Sequence, residues 1–255
     1  MGDSVLTASS LSLPGVRHGF TTRLGGASAG PWGSFNLSRK VGDEPAAVAE
    51  NQRRWSALSG RPWEQVVGLS QVHGREVLVV DGPPAALPPE DARRFDGCVT
   101  ARADVVLAVR AADCLPILLC DPARRVIGVA HAGWRGTLAD VGGAVVAAMG
   151  RLGCRPGDLL AALGPCIQAG AYAVGPEVHA PFLARFGPEA APAGGPGLRV
   201  DLVAANRRLL LEAGLQAARV EVLRRCTFSE PATFFSHRRD RGLTGRHLAF
   251  IALEA

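Results

Sequence analysis

An α+β domain, with helices set around a mixed sheet, is the fold that three observations in the sequence predict. The 255 residues carry 47% hydrophobic against 20% charged side chains, enough apolar material for one sizeable core. The middle of the chain holds four short β-branched or apolar runs, DGCVT, DVVLAVR, LPILLC and RVIGVA, separated by polar, Gly or Pro punctuation as buried strands are. Helical stretches flank this block without the regular alternation of a doubly wound sheet, and no internal repeat or low-complexity tract interrupts it. A single domain over residues 1–255 is expected.

Each element has a local reason. The stretch RHGFTTRLGGASAGPWGSFNLS is rich in Gly, Ser and aromatics without a helical period, and reads as a strand followed by an irregular loop carrying Arg23, Trp32 and Asn36. Pro45 opens a helix that runs to about Leu58, with Val48, Trp55 and Leu58 facing inward and Gly60 as its stop. EQVVGLS and REVLVV read as two strands that pair across the short HG turn. Residues 82–94, rich in Pro and charge, form a surface excursion. After the four central strands comes a helical pattern from Thr137 to Leu152. Its adjacent Gly142 and Gly143 cost about 2 kcal/mol relative to alanine, which close packing on the sheet would offset. DLLAALG is a further strand leading into GPCI. Two more helices are expected, from Pro176 to Phe186 and from Asp201 to Ala213, the second with Asp201 as N-cap and Gly214 as stop. GPEAAPAGGPGL between them is a loop, and strands follow at about 219–223, at TFFS and at HLAFIAL.

Charge and cysteine content narrow the function class. A net charge of +5 comes almost wholly from Arg, with Lys40 as the single lysine. These charges are spread along the chain with no basic tail, so no nucleic-acid partner is expected. The first residues lack a positive region followed by a long apolar run, and Leu6 stands where a myristoylation signal at Gly2 needs Ser or Thr. The most apolar run, residues 105–120, is broken by Arg110 and Asp113, so no membrane span is expected. A cytoplasmic protein follows, and the low aromatic content, 5%, favours a monomer. The six cysteines form no CxxC pair and are expected to be reduced, with Cys98, Cys120 and Cys154 as buried, inert thiols.

Three segments carry the candidate chemistry: SQVHG, AADCLP and HAGWRG. Each sets a metal-capable side chain beside a strand end and next to Gly or Pro. His73, Cys114 and His131 together offer two imidazoles and a thiolate, which suits zinc with a fourth position left for water or substrate; copper is tolerated by the same donors. Their separations match no local zinc motif, and the same residues also read as a nucleophile and base, Cys114 and His131, of an amide hydrolase. Asp113 is a proton carrier, an orienting group, or a buried turn cap. Arg135, Arg23 and Arg238 are candidates to neutralise an anion, and Cys166 to line the same cleft. Trp134 and the Phe234–Phe235 pair either wall a flat-ring pocket or pack in the core.

Taken together, HGFTTRLGG, SFNLS with VGD and ENQRR, SQVHG, DGCVT, AADCLPILLCD, HAGWRGT, LGPCI, DLVAANRRLL, CTF, FFSHRRD and TGRHLAFI resemble the laccase-domain family over nearly the whole chain. Its members were first described as multi-copper polyphenol oxidases and later as purine nucleoside phosphorylases with adenosine deaminase activity. The resemblance implies an α/β sandwich shared with deamidating toxins, and one zinc per chain on His73, Cys114 and His131. It implies phosphorolysis of adenosine, inosine, guanosine and methylthioadenosine, and hydrolytic deamination of adenosine by a metal-activated water. Purine nucleosides and phosphate are then the partners. Phosphorolysis needs an anion site beside C1′, for which Arg135 is the first choice, with Arg23, Asn36 or His18 assisting. Copper-dependent phenol oxidation is the alternative, but six histidines are a poor supply for a type 1 plus trinuclear copper set. A Cys-His hydrolase and a non-catalytic pocket for a nucleoside or cell-wall fragment are the others.

Overall fold

Valine-, leucine- and alanine-rich runs without internal charges become strands covered on both faces, and here they sort into two sheets. The structure is a computed structural model describing residues 4–192 and 197–254; the expectations for residues 1–3 and for 193–196 of the loop after Phe186 lie outside the described residues. One sheet contains β1 (Val5–Leu6), β2 (Val16–Thr21), β3 (Val66–Val67), β6 (Val106–Ala111) and β11 (His247–Leu253), in the order β1-β2-β11-β6-β3. The other contains β4 (Val77–Val79), β5 (Gly97–Thr100), β7 (Leu115–Asp121), β8 (Val126–Ala132), β9 (Leu160–Leu163) and β10 (Val220–Val222), in the order β10-β9-β7-β8-β5-β4. Both are mixed: β3–β6, β4–β5 and β9–β10 are parallel and the remaining pairs antiparallel.

The two sheets pack face to face. Strand alternation sends Leu107, Val109 and Ile251 from the first sheet to meet Cys98, Leu118, Ile127 and Val129 from the second. The opposite parity, Val106, Ala108 and Phe250, packs under α1 (Pro45–Ser59) through Trp55, whose ring lies 5.1 Å from that of Phe250. Three helices, α3 (Val141–Arg151), α4 (Pro176–Phe186) and α5 (Leu202–Glu212), cover the outer face of the second sheet. The result is one α+β domain, with the expected mixed sheet divided into two. No helix among the described residues is long and apolar enough to cross a membrane.

Most element boundaries follow their local signals. α1 stops at Gly60, whose φ of 69° is the left-handed cap conformation, and the Asp201 carboxylate caps α5 by accepting the Ala204 N–H at 2.9 Å. The helix expected over 137–152 is interrupted: α2 (Trp134–Leu138) ends, and Asp140 starts α3 by accepting the Gly143 N–H. A Cβ on Gly142 would lie 3.5 Å from Ile117 of β7, so that glycine packs on the sheet as expected. One on Gly143 would instead meet the capping carboxylate at 2.3 Å.

Two expectations fail. EQVVGLS and REVLVV do not form a hairpin: β3 joins β6 in one sheet and β4 joins β5 in the other, so the segment between them crosses the sandwich. TFFS is not a strand either; Phe234 and Phe235 are fully buried in an irregular segment after a turn and pack on the His247 ring, with centroids 5.5 and 5.1 Å away.

Burial of His247 has a consequence for acid stability. Desolvation, assisted by the charges of Arg23 and Arg246, holds its pKa down at about 3. Below about pH 6.5 the unfolded chain gains a proton at this position that the folded chain does not, so stability falls by about 1.4 kcal/mol per pH unit down to the folded value. Urea unfolding at pH 7 and pH 5 is expected to show this loss, and His247→Gln to reduce it; equal losses in both proteins would refute the assignment.

Candidate metal centre

Crossing between the sheets puts three polar segments at one end of the sandwich. Residues 68–76 join β3 to β4, residues 112–114 join β6 to β7, and β8 ends beside them. His73 and Asp113 both take left-handed backbone conformations, with φ of 62° and 87°. Such positions are uncommon for residues other than glycine and cluster where a side chain must be aimed. His131 shares the parity of Ile127 and Val129 on β8 and therefore points towards the interior of the sandwich.

The donor atoms of His73, Cys114 and His131 all lie within 4.8 Å of one another. His131 is buried, Cys114 half-buried and His73 exposed, so the cluster opens on one side. Two imidazoles and a thiolate at this spacing can hold one metal ion and leave it accessible.

Asp96 organises the cluster. It is fully buried, and its Oδ1 accepts the Nδ1–H of His131 at 2.8 Å and the backbone N–H of His73 at 3.0 Å. Its Oδ2 accepts the N–H groups of Val72 and Gly74 at 3.0 and 2.8 Å. One carboxylate thus fixes the tautomer of one imidazole, leaving its Nε2 free for the metal, and folds the loop that presents the other. Burial lowers the pKa of His131, but attraction to Cys114 and Asp96 outweighs it and raises the net value to about 9. Burial and the neighbouring His131 and Arg135 lower that of His73. A proton and a metal ion therefore compete for His131.

Gly133 leaves room for this arrangement. A Cβ there would stand 3.0 Å from Cys114 Sγ and 3.6 Å from His73 Cδ2. Its φ of −71° suits any residue, so the constraint is purely steric. Gly133→Ala is expected to fold but to bind metal about tenfold or more weakly, in the range found when a ligand loses its support. Zinc content after dialysis against a chelator measures this, and wild-type retention would refute it.

The cluster lies in a cleft of about 470 Å³ whose walls include Arg135, Arg238, Trp134 and Tyr172. Of the residues expected from the sequence, Cys114, His131, His73, Asp113, Arg135 and Arg238 line this cleft, while Arg23, Asn36, His18 and Cys166 do not. His18 accepts the Ala8 N–H on β2 and borders a different cavity. Arg23 is stacked on Phe235 and donates to the Gly33 and Pro231 carbonyls, clamping two loops. Asn36 is fully buried and spends its amide on Ser38, Asp43 and the backbone N–H of Arg246. Cys166 is fully buried in the helix-side core.

Asp113 lines the cleft without being available as a proton carrier. Its carboxylate accepts from Thr227 Oγ1 at 2.6 Å, Ser236 Oγ at 3.0 Å and the Arg238 N–H at 2.6 Å, tying the 236–238 segment to the turn that holds Cys114. Phe234 and Phe235 are core residues, whereas Trp134 faces the cleft. Cys98, Cys120 and Cys154 are free and buried, their thiols pushed up to about 12 by desolvation first of all.

Sequence reasoning passed over Asp96, Tyr172, His237 and Arg246. Asp96 was visible as the Asp-Gly opening DGCVT, where it reads as an ordinary strand boundary. Tyr172 is the single tyrosine of the chain, and nothing in its neighbours marks it.

Comparison with known proteins agrees with this geometry. A family model described as multi-copper polyphenol oxidoreductase laccase matches residues 17–254. A protein of Deinococcus radiodurans named purine nucleoside phosphorylase is 42% identical over 252 residues, covering 99% of this chain and 94% of that protein. Purine nucleoside phosphorylase YfiH of Escherichia coli is 38% identical over 241 residues, 94% of each chain. The crystal structure of YlmD from Geobacillus stearothermophilus superposes with a TM-score of 0.91 at 37% identity, covering 100% of this chain and 98% of that one. A sandwich of this topology, a two-histidine, one-cysteine cluster at its seam and matches along almost the full length place the chain in the laccase-domain family, to which it belongs.

Proposed function

We propose that the protein is a zinc-dependent purine nucleoside enzyme. It cleaves adenosine, inosine, guanosine and methylthioadenosine with phosphate, and it deaminates adenosine hydrolytically. The observation that carries the reading is the His73, Cys114 and His131 cluster, opening into a cleft of about 470 Å³ in a chain so similar to proteins named purine nucleoside phosphorylase. A cleft of that size accommodates a nucleoside. The donor set fits zinc, since the thiolate and two neutral imidazoles match its preferences and the Asp96 bond to His131 supplies the outer support zinc ligands need.

The chain's own residues divide the remaining work. Trp134 and Tyr172 present aromatic surface to a purine, and Arg135 offers a guanidinium to an oxyanion from the exposed rim. When bound, zinc supplies Lewis acidity towards water or a phosphate oxygen. The protein is expected to release free base from inosine and methylthioadenosine only with phosphate present, and to convert adenosine to inosine without it. A chromatographic product assay of the zinc-loaded protein tests this, and absence of product from every nucleoside would overturn it.

A second reading has an observation of its own. Cys114, His131 and Asp96 also form the series of nucleophile, base and orienting carboxylate that serves amide hydrolysis. Activity on an amide that survives complete removal of metal and disappears in Cys114→Ala would favour it. The oxidase description fits the ligands less well. His18, His179 and His247 spend ring nitrogens on backbone groups, and the described residues hold one metal-capable cluster.

A further inference from the structure

The cleft contains five cationic side chains, and they fall into two groups. Lys40 and Arg110 face acids: Arg110 pairs with Glu90 at 2.8 Å, and Lys40 with Asp91 at 2.5 Å. Arg135, Arg238 and Arg246 line the same cleft and, among the described residues, make no ion pair. Each is held by neutral groups instead. Arg135 stacks on Trp134 with its guanidinium 4.1 Å from the ring centroid, and Arg238 stacks on Tyr172 at 5.0 Å while donating to the Ala173 carbonyl. Arg246 donates Nη1 to the carbonyls of Thr244 and Gly245 at 2.9 and 3.0 Å, and its backbone N–H bonds to Asn36.

These fastenings orient three positive charges without cancelling them. Such an arrangement is costly unless an anion arrives, above all for the half-buried Arg246, whose charge burial disfavours. Asp113 and Cys114 offset part of the Arg246 charge through space, but Asp113 forms no ion pair with it, and its carboxylate already accepts three hydrogen bonds from Thr227, Ser236 and Arg238. The arginines also share the cleft wall with the metal cluster. Arg135 acts electrostatically on His73, Cys114 acts on Arg246, and Arg238 follows the segment that Asp113 anchors next to Cys114.

We propose that Arg135, Arg238 and Arg246, the cations of the cleft that no acid pairs with among the described residues, form the subsite for inorganic phosphate, in the same cleft as the metal ligands. Guanidinium groups suit this ligand because they donate paired N–H bonds to phosphate oxygens and keep their charge at any working pH. The subsite gives a place to the phosphate that the phosphorolysis reading requires and rests on that reading. It also reassigns Asn36, from a ligand to the residue that positions Arg246.

Calorimetric titration of inorganic phosphate into the zinc-loaded protein, without nucleoside, tests the subsite directly. Wild type and Arg151→Ala, a change on the remote end of α3, are expected to bind equally. Arg135→Ala, Arg246→Ala and Arg246→Lys are each expected to bind about tenfold or more weakly, as loss of a charge-assisted hydrogen bond predicts. Arg135 is exposed, so its variant reports even if those at Arg246 fold poorly. Unchanged affinity in Arg135→Ala and folded Arg246 variants, or no phosphate binding by the wild type, would overturn the proposal. So would tighter binding of a nucleoside 5′-monophosphate than of phosphate and nucleoside added together. Phosphate binding that depends on these arginines without any phosphorolysis would leave the subsite standing and remove the nucleoside reading. Phosphorolysis whose KM for phosphate is unaltered in the variants would do the reverse.

Discussion

Cys114→Ala is expected to abolish stoichiometric metal binding and, with it, both phosphorolysis and deamination. Cys114 supplies the only sulfur of the cluster, and its removal leaves two imidazoles, one of them exposed on a loop. Loss of an outer-shell partner alone costs metal sites about 10–100-fold in affinity, and loss of a direct ligand is expected to exceed that. The fold should survive, because Cys114 is half-buried at a turn and the core on either side is made by β6 and β7. Metal analysis of the purified variant, together with the product assay, checks the prediction. A variant retaining one zinc per chain and full turnover would refute the assignment of Cys114 as a ligand.

Asp96→Asn is expected to weaken zinc binding by about 10–100-fold without removing any ligand. The amide matches the carboxylate in size but replaces one acceptor oxygen with a donor, which faces the N–H groups of His131, His73, Val72 and Gly74. At least one of those four donors loses its bond, at a cost of about 1–3 kcal/mol for a buried group. His131 is then free to take the other tautomer, and the 72–74 loop loses its anchor. Competition with a chromogenic chelator measures the affinity, and thermal unfolding of the metal-free protein separates the effect on the loop. Wild-type affinity in a folded Asp96→Asn protein would show that the carboxylate does not position the ligands.

Local chemistry made much of this molecule legible beforehand. Pro45, Gly60, Asp201 and Gly214 mark helix ends by backbone and capping preferences that do not depend on the rest of the fold. The central strands announced themselves because β7 and β8 are buried at every position and contain almost no polar residue. His73, Cys114 and His131 stood out since side chains with few structural uses occurred beside glycine and proline at strand ends. What stayed hidden depends on partners distant in sequence. Nothing near residues 66–79 tells β3 to pair with β6 and β4 with β5, because HG is not a hairpin turn and the Asp96 carboxylate that captures the loop lies further along. Asn36, His18 and Arg23 looked like ligand residues because a buried polar side chain that bonds backbone has the same sequence appearance as one that bonds substrate. Arg246 was overlooked because it immediately precedes a strand whose apolar pattern absorbs attention.

The pairing of β11 between β2 and β6 bears on how the chain is made. Its partner β2 lies more than two hundred residues earlier, and contacts at such separation are slow to form because loop closure is unfavourable until many of them form together. The strands of the second sheet all lie between residues 77 and 222 and pair without β11. The first sheet keeps a gap at its centre until residues 247–253 arrive. Arg246 immediately precedes β11 and reaches the cleft only with that insertion, so His73, Cys114 and His131 can come together before the cleft wall is complete. Insertion of β11, rather than assembly of the His73, Cys114 and His131 cluster, is then the step that completes the wall of the cleft.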